Sequence, residues 1–371
     1  MTDTARIACD LLTGYLGSGK TTLLNAFLRS PASRGTAVVV NEIGSIGLDQ
    51  IVLGEVSDNV FLLESGCLCC SMSGTLRDTL LDLQQRAPAL GAPLARIVVE
   101  TTGLADPRPI LHQFLGDRLM AERFVLDQIV ATVDAVDGSA QLDRRRESVV
   151  QAALAECVVL TKTDVADDAA QAALLQRLHA LNPFARVVRS EAGSGAAAVF
   201  TQRGDAAGGE RELRMVRSLF GGGPAARGAG GATAASRPAG VPMRPVAPIH
   251  DDEVRAVSLS FDGPTTWAGI AAWWRLVSHR YGDRLLRCKA LLRLDERVPQ
   301  VLLQTVGKHF HPPQHLSRWP DDDPRSRLVC IGEGLAEDWL RESLLALRIR
   351  EASISPLDLA QVRTVLGLAP T

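Results

Sequence analysis

The chain has 371 residues, 46% of them hydrophobic, with 40 basic and 42 acidic side chains and a net charge of -2. That length and apolar content can fill more than one core, so two domains are expected, and evenly spread charges exclude a basic footprint for nucleic acid or an anionic membrane. The opening MTDTARIACD lacks a secretory apolar core and no stretch reaches the ~18 apolar residues of a membrane helix, so a cytoplasmic location and no membrane partner are expected.

From residue 5 to about residue 190 short β-branched runs alternate with longer amphipathic stretches. Strands are predicted over Ile7–Leu12, Ala37–Val40, Val60–Leu63, Ile97–Val99, Gln128–Val133, Cys157–Leu160 and Arg186–Val188, with helices such as Leu76–Arg86 and Ala169–Leu181 between them. This alternation predicts a mostly parallel α/β sheet with helices on both faces.

The first strand runs into Gly14-Tyr-Leu-Gly17-Ser18-Gly19-Lys20-Thr21, which has the phosphate-loop pattern, with a helix expected from Thr21. Glycines let the backbone wrap closely, so that its N–H groups and the helix N-terminus surround phosphate oxygens. Lys20 would neutralise β- and γ-phosphate charge and the Thr21 hydroxyl would ligate Mg²⁺, with Gly14, Gly17, Ser18, Gly19 and Thr22 completing the cradle. An ordinary Gly-rich turn is the bland alternative, against which the flanking strand and helix count.

After Val60–Leu63, the segment Gly66-Cys67-Leu-Cys69-Cys70 gathers three of the seven cysteines, while Cys9, Cys157, Cys288 and Cys330 stand alone. An extended Cys-x-Cys puts two sulfurs on one face, and a turn at Cys69–Cys70 can bring in the third. In a reducing compartment this spacing argues for metal or reactive thiols rather than disulfides. Zinc is the default ion, with Cu(I), Co²⁺ and Ni²⁺ as competitors, and binding would ionise the thiols. A purely structural role is disfavoured because adjacent Cys69 and Cys70 cannot easily share one core face, and a redox role lacks the Cys-x-x-Cys spacing.

At Ile97-Val-Val-Glu100-Thr-Thr-Gly103 an apolar strand ends in a carboxylate followed by small residues. Glu100 is expected to act on Mg²⁺, directly or through water, and the Gly103 N–H to meet the γ-phosphate, which makes Lys20, Glu100 and Gly103 the catalytic candidates. Thr161-Lys162-Thr163-Asp164 then follows the strand Cys157–Leu160 and resembles a guanine signature. The Asp164 carboxylate can accept from guanine N1–H and its 2-amino group, a donor pair that adenine lacks, while the Lys162 stem covers the base. Taken alone, the tetrapeptide would more simply be a helix cap with Asp164 opening the next helix.

The predicted organisation is a nucleotide-binding domain over 1–202, a flexible Gly/Ala/Pro linker over 203–252, a smaller α+β domain over 253–350 and a tail over 351–371. In the second domain, Val254–Phe261, Leu285–Leu294, Val301–Val306 and Leu328–Ile331 read as strands, Thr265–Arg280 as a helix and Glu337–Ile349 as a closing helix. All five tryptophans fall there, at Trp267, Trp273, Trp274, Trp319 and Trp339, so a core separate from the first domain is expected. His309, His311 and His315 are candidates for a second metal site, although histidines near prolines more often make structural hydrogen bonds. Asp321, Asp322 and Asp323 read as a solvated turn.

The ordered set TGYLGSGKTTLLN, NEIGSIGLD, SGCLCC, VVETTGLADP and LTKTD resembles the CobW family of P-loop GTPases, a group associated with metal-trafficking chaperones and cobalamin synthesis. QTVGKHFHPPQHLSRWP and RSRLVCIG are similar to that family's C-terminal domain. The resemblance implies a GTP-dependent metallochaperone in which Cys67, Cys69 and Cys70 hold zinc and Glu42 belongs to the adjoining switch. Two departures stand out: Ser45 occupies a position where many relatives have a second Glu, and the linker has no His-rich tract. The implied partner is a client metalloprotein. No intrinsic arginine finger or catalytic glutamine is apparent, so slow basal turnover is expected, with a client or a second protomer in a homodimer supplying the missing group. The rivals are a P-loop ATPase or kinase with structural cysteines, and a non-enzymatic zinc-sensing adaptor.

Overall fold

The computed structural model describes residues 6–41, 61–65, 76–86, 94–201, 253–295, 300–311, 313–316, 319 and 323–349. The expected linker and tail lie outside these residues.

The first domain is built on seven parallel strands: β1 (Ile7–Gly14), β2 (Thr36–Asn41), β3 (Phe61–Ser65), β4 (Arg96–Thr101), β5 (Phe124–Asp134), β6 (Cys157–Thr161) and β7 (Arg186–Ser190). Their order is β3-β2-β4-β1-β5-β6-β7, which puts β1 at the centre. Every residue of β1, β4 and β6 is buried, as a parallel sheet covered on both faces requires. Alternate side chains feed two cores. Leu11, Val39 and Val99 belong to one with Leu76 and Leu80, while Leu12, Val38 and Val98 belong to the other with Leu24 and Phe27. The helices are α1 (Lys20–Leu28), α2 (Leu76–Arg86), α3 (Arg108–Gly116), α4 (Arg118–Arg123), α5 (Gly138–Arg144), α6 (Arg146–Leu154), α7 (Asp168–Leu181) and α8 (Ala196–Thr201). Several strands outrun their apolar stretches, because ladder pairing continues through polar residues: β4 includes Arg96, Glu100 and Thr101, all paired to β2.

The second domain is an antiparallel sheet of β8 (Val254–Phe261), β9 (Leu285–Arg293), β10 (Gln300–Val306), β11 (His309–Phe310), β12 (Gln314–His315) and β13 (Ser326–Glu333), with helices α9 (Trp267–Tyr281) and α10 (Glu337–Ser343). Helix α9 starts two residues later than the sequence suggests, because Thr266 is its cap and accepts from the Gly269 N–H at 2.9 Å. The closing helix is shorter than expected: α10 ends at Ser343 and a 3₁₀ turn continues through Arg348.

The two cores are not separate. Trp273, Trp274, Val277 and Tyr281 do pack with Cys288, Ala290 and Leu292 in a core of the second domain's own. Yet Leu286, Val306, Val329 and Ile331 join the cluster of the first domain, because the other face of the same antiparallel sheet is docked onto it. Arg287, 2% exposed, crosses this junction. Its Nη1 donates to the Leu154 carbonyl at 2.5 Å, and its Nη2 to Glu156 Oε1 at 2.6 Å. Burial pushes the Glu156 carboxyl up, but Arg287, Lys289 and His311 outweigh it and hold the group at about 2. Burial is the main cause that pulls Lys289 down to about 7 and His311 to about 4.

Two outcomes follow from this junction. Arg287→Met strands the Leu154 carbonyl and leaves the Glu156 carboxylate only Lys289, at 3.8 Å, and chemical denaturation is expected to show a loss of roughly 3–5 kcal/mol. His311 takes up its proton at about 4 when folded, against an ordinary value of 6.5. The unfolded chain therefore binds more protons over that interval, and stability falls as pH drops from 6.5 through about 4. Melting temperature followed across this range is expected to decline less steeply in His311→Gln than in the unsubstituted chain.

Candidate functional site

Strands β1, β4 and β6 all end on one edge of the parallel sheet, and the three sequence motifs sit on their C-terminal ends, where ligands bind in open α/β folds. The phosphate loop begins at Gly14, whose φ is +143°. A β-carbon there would lie 2.2 Å from Thr132 Oγ1 and 2.6 Å from the Thr132 carbonyl, so no other residue fits. The Ser18 and Thr132 hydroxyls share a hydrogen bond of 2.7 Å, and Thr161 Oγ1 donates to the Ser18 carbonyl at 2.8 Å. On the other side Thr101 Oγ1 donates to Thr13 Oγ1 at 2.8 Å. Neighbouring strands thus clamp the loop through hydroxyls.

Within the loop, Lys20 Nζ donates to the Gly14 carbonyl at 2.8 Å and the Tyr15 carbonyl at 3.2 Å, holding the ammonium over the turn. Helix α1 opens at Lys20, one residue before the predicted start, and its Gly19 cap supplies no side-chain hydrogen bond. The first N–H groups of α1 are left for an anion, which fits a phosphate between them and Lys20. Gly17 and Thr22 are exposed and Thr21 is half-buried. These are the chain's candidate contacts to a nucleotide and, through Thr21, to Mg²⁺.

Glu100 is 7% exposed near the end of β4, in register with Leu12 of β1 and Val40 of β2. Gly103 follows so close to the phosphate loop that a β-carbon would sit 2.6 Å from the Leu16 backbone nitrogen. The same loop carries Asp106, which Arg108 grips with two carboxylate contacts of 3.0 and 2.8 Å from its Nε. Burial pushes the Asp106 carboxyl up, and those hydrogen bonds more than offset it, leaving the group below its ordinary range.

At the third loop, helix α7 begins at Asp168 and is capped by Asp167, which accepts from the Ala170 N–H at 2.7 Å. Asp164 is therefore not the cap; it lies exposed ahead of the helix. Lys162 has φ of +54°, a left-handed conformation that a lysine rarely adopts, and its Nζ meets Asp134 Oδ2 at 2.5 Å. Asp134, 1% exposed, also accepts from the Val136 N–H at 2.8 Å. Gln171 Nε2 donates to the Thr163 and Ala166 carbonyls at 2.9 and 3.0 Å. The sequence alone assigns no role to Asp134 or Gln171. Asp134 has a legible signal, a carboxylate ending an apolar strand as Glu100 does, whereas Gln171 looks like any polar helix residue.

Glu42, Ser45, Cys67, Cys69 and Cys70 lie outside the described residues. The strands that precede them end beside the site: Asn41 pairs with both Ser65 and Thr101. The other four cysteines are buried thiols outside any disulfide. Cys288 and Cys330 face each other at 3.7 Å between sulfurs in the second domain's core. The three histidines find three different partners. His309 packs on His112 with ring centroids 4.4 Å apart, His311 faces Glu156, and His315 stands 6.2 Å from the Trp267 ring. Among the described residues no three His, Cys, Asp or Glu groups are placed to hold a metal ion, and no helix is long and apolar enough to cross a membrane. Asp323 makes a local pair with Arg325, at 2.8 Å.

Comparison with known proteins agrees with this geometry. The family model described as the CobW/HypB/UreG nucleotide-binding domain matches residues 9–189, and that of the cobalamin synthesis protein cobW C-terminal domain matches residues 254–348. The chain is 30% identical over 343 residues to the zinc chaperone YjiA of Escherichia coli, across 92% of this chain and 99% of that protein. A match of 29% identity to zinc-regulated GTPase metalloprotein activator 1 of Schizosaccharomyces pombe spans 49% of this chain and 45% of that one. The crystal structure of Zn(II)-bound YjiA GTPase from E. coli superposes with a TM-score of 0.66 at 26% identity, over 93% of this chain and all of that chain. With both domain models matched in order and a full-length relative at this identity, the chain belongs to the CobW family of P-loop GTPases.

Proposed function

We propose that the chain is a GTP-hydrolysing metallochaperone that carries zinc on Cys67, Cys69 and Cys70, with Glu42 beside them, and passes it to a client metalloprotein. The observation that carries this reading is the register of β3, β2 and β4. Ser65, Asn41 and Thr101 lie abreast, so β3, β2 and β4, which the cysteines, Glu42 and Gly103 follow in the chain, end side by side at the edge where the phosphate loop sits. The zinc chaperone and zinc-regulated GTPase among the relatives support the same reading.

In the proposed cycle Lys20 and the loop amides hold the β- and γ-phosphates; Thr21 and Glu100 would hold Mg²⁺, which would supply positive charge to offset that developing on the phosphoryl group. Asp164 selects guanine and Lys162, pinned by Asp134, lies along the base. Nucleotide orders the loops at Glu42 and Gly103 and so arranges the thiolates; hydrolysis relaxes both and lets metal pass on. The thiolate set suits zinc, with Co²⁺ or Ni²⁺ as related cargo. A second protomer or the client completes the charge stabilisation that slow basal turnover lacks.

Asp164→Asn keeps the shape of the side chain but loses the full acceptor strength of the carboxylate, so competition binding is expected to show at least a tenfold fall in GTP-over-ATP preference. The coupling itself is tested by zinc titration against a competing chelator in the GTP-analogue and GDP states. Zinc is expected to bind about tenfold tighter with the analogue, a coupling of about 1.4 kcal/mol that must appear equally in nucleotide affinity. Replacing Cys67, Cys69 and Cys70 with Ser should remove tight zinc binding and this coupling while GTP still binds. Equal zinc affinity in both nucleotide states would leave the thiols as a static site and defeat the chaperone reading.

A further inference from the structure

The geometry points to Gln151 as a positioning residue for GTP hydrolysis, and to α6 as the lever through which the C-terminal domain acts on turnover. This rests on the reading of Gly103 as the residue that meets the γ-phosphate.

Gln151 lies in the middle of α6 and is 1% exposed. Its Nε2 donates to the Gly103 carbonyl at 3.2 Å and to the Ala105 carbonyl at 3.0 Å. One buried amide thus spends both of its hydrogens on the two carbonyls that flank Leu104, and its own Oε1 is buried with no hydrogen-bond partner among the described residues. A buried donor pair of this kind sets the direction of the peptide groups it holds, because losing either bond would strand a carbonyl away from water. The Gly103–Leu104 peptide, which directly follows the N–H proposed to meet the γ-phosphate, is therefore oriented from α6, while Gly103 itself packs on Leu16 of the phosphate loop.

Helix α6 is in turn held at both ends by the second domain. At its start Arg146 Nη2 meets Glu333 Oε1 of β13 at 2.5 Å. At its end the Leu154 and Ala155 carbonyls accept from Arg287 of β9 at 2.5 and 3.4 Å. Between them Val150, Ala153 and Leu154 share one core with Leu286, Val306, Val329 and Ile331 of the second domain. A parallel strap runs from the same loop: Arg108, bound to Asp106, also donates from Nη1 to the Asp283 carbonyl at 2.9 Å. A shift of the Gly103 loop on meeting a γ-phosphate must either break the Gln151 bonds or carry α6, and with it the docked sheet. Conversely, whatever displaces the second domain from α6 moves the loop. Interfaces of this packing density move as units rather than deforming continuously.

The test compares Gln151→Leu, Gln151→Glu and Lys20→Ala with the unsubstituted full-length chain, all with Mg²⁺. Gln151→Leu fills the same space without donors. It is expected to lower kcat for GTP at least tenfold, leave GDP affinity within twofold, and shrink the preference for a fluorescent GTP analogue over its GDP counterpart. Gln151→Glu turns a carboxylate toward two carbonyls, so kcat should be low at neutral pH and recover as acid makes the group a donor again, a pH response that a loss of packing would not produce. Arg146→Met, which breaks the contact of α6 with Glu333 and leaves both Gln151 hydrogen bonds in place, should change kcat by severalfold. Its effect should vanish in the Gln151→Leu background, because the lever is already disconnected. Turnover in both Gln151 variants equal to that of the unsubstituted chain overturns the positioning role, and independent, multiplying effects of Arg146→Met and Gln151→Leu overturn the lever. If the unsubstituted chain turns over GTP no faster than Lys20→Ala, it is the phosphate-loop reading that fails. Should Gln151→Leu not fold, the pH response of Gln151→Glu and the analogue preference decide the matter.

Discussion

Where the phosphate loop leaves β1 at Gly14, the end of β5 leaves no room for a side chain, and the rest of the site depends on that crowding. Gly14 is pressed against Thr132, Gly103 against Leu16, and the loop's own Ser18 is tied by hydroxyls to β5 and β6. Close-packed contacts of this kind transmit displacement rather than absorb it. A phosphate bound over α1, as proposed, would bear on the Gly103 loop through Leu16 with no long flexible chain between them. The lysine that would neutralise the phosphate is already drawn over the turn by two carbonyls, so little needs to be ordered when an anion arrives.

The second domain is joined to this arrangement by a charged junction rather than an apolar seam alone. Arg287 and Glu156 form a largely desolvated pair, with Lys289 3.8 Å from the same oxygen. Replacing such a pair by packed hydrophobes is often neutral or stabilising, so its presence is better understood as fixing how the two sheets meet than as a source of stability. Its position gives that geometry a consequence, since Arg287 grips the carbonyl end of the very helix whose middle holds the Gly103 loop.

At the Thr161–Asp164 loop the same logic appears with a different residue. Lys162 takes a left-handed backbone and reaches Asp134 on the next strand, which turns a flexible side chain into a fixed one before any ligand binds. Gln171 fixes the loop's carbonyls from α7 as Gln151 does from α6. Two buried amides therefore set two loops from the helices behind them: one follows β4, which pairs with β1, and the other follows β6, one strand beyond β5.

The parallel sheet, the phosphate loop, the Glu100–Gly103 segment and the Thr161–Asp164 loop were all legible in the linear chain, because each is a local pattern: apolar runs of strand length, glycines at loop spacing, a carboxylate at a strand end. The family likeness rested on the order of those same patterns. Tertiary structure alone decided that Asp167 rather than Asp164 caps α7, since both carboxylates stand ahead of the same helix and only the backbone angles choose between them. It also decided that the second domain shares a core with the first, because an antiparallel strand such as β13 carries apolar residues on both faces and its sequence does not say which neighbour covers the second one. Gln151 and Gln171 were illegible for the plainest reason: a glutamine in a helix reads as solvent-facing until the fold buries it, and only then do the two carbonyls it must satisfy become visible.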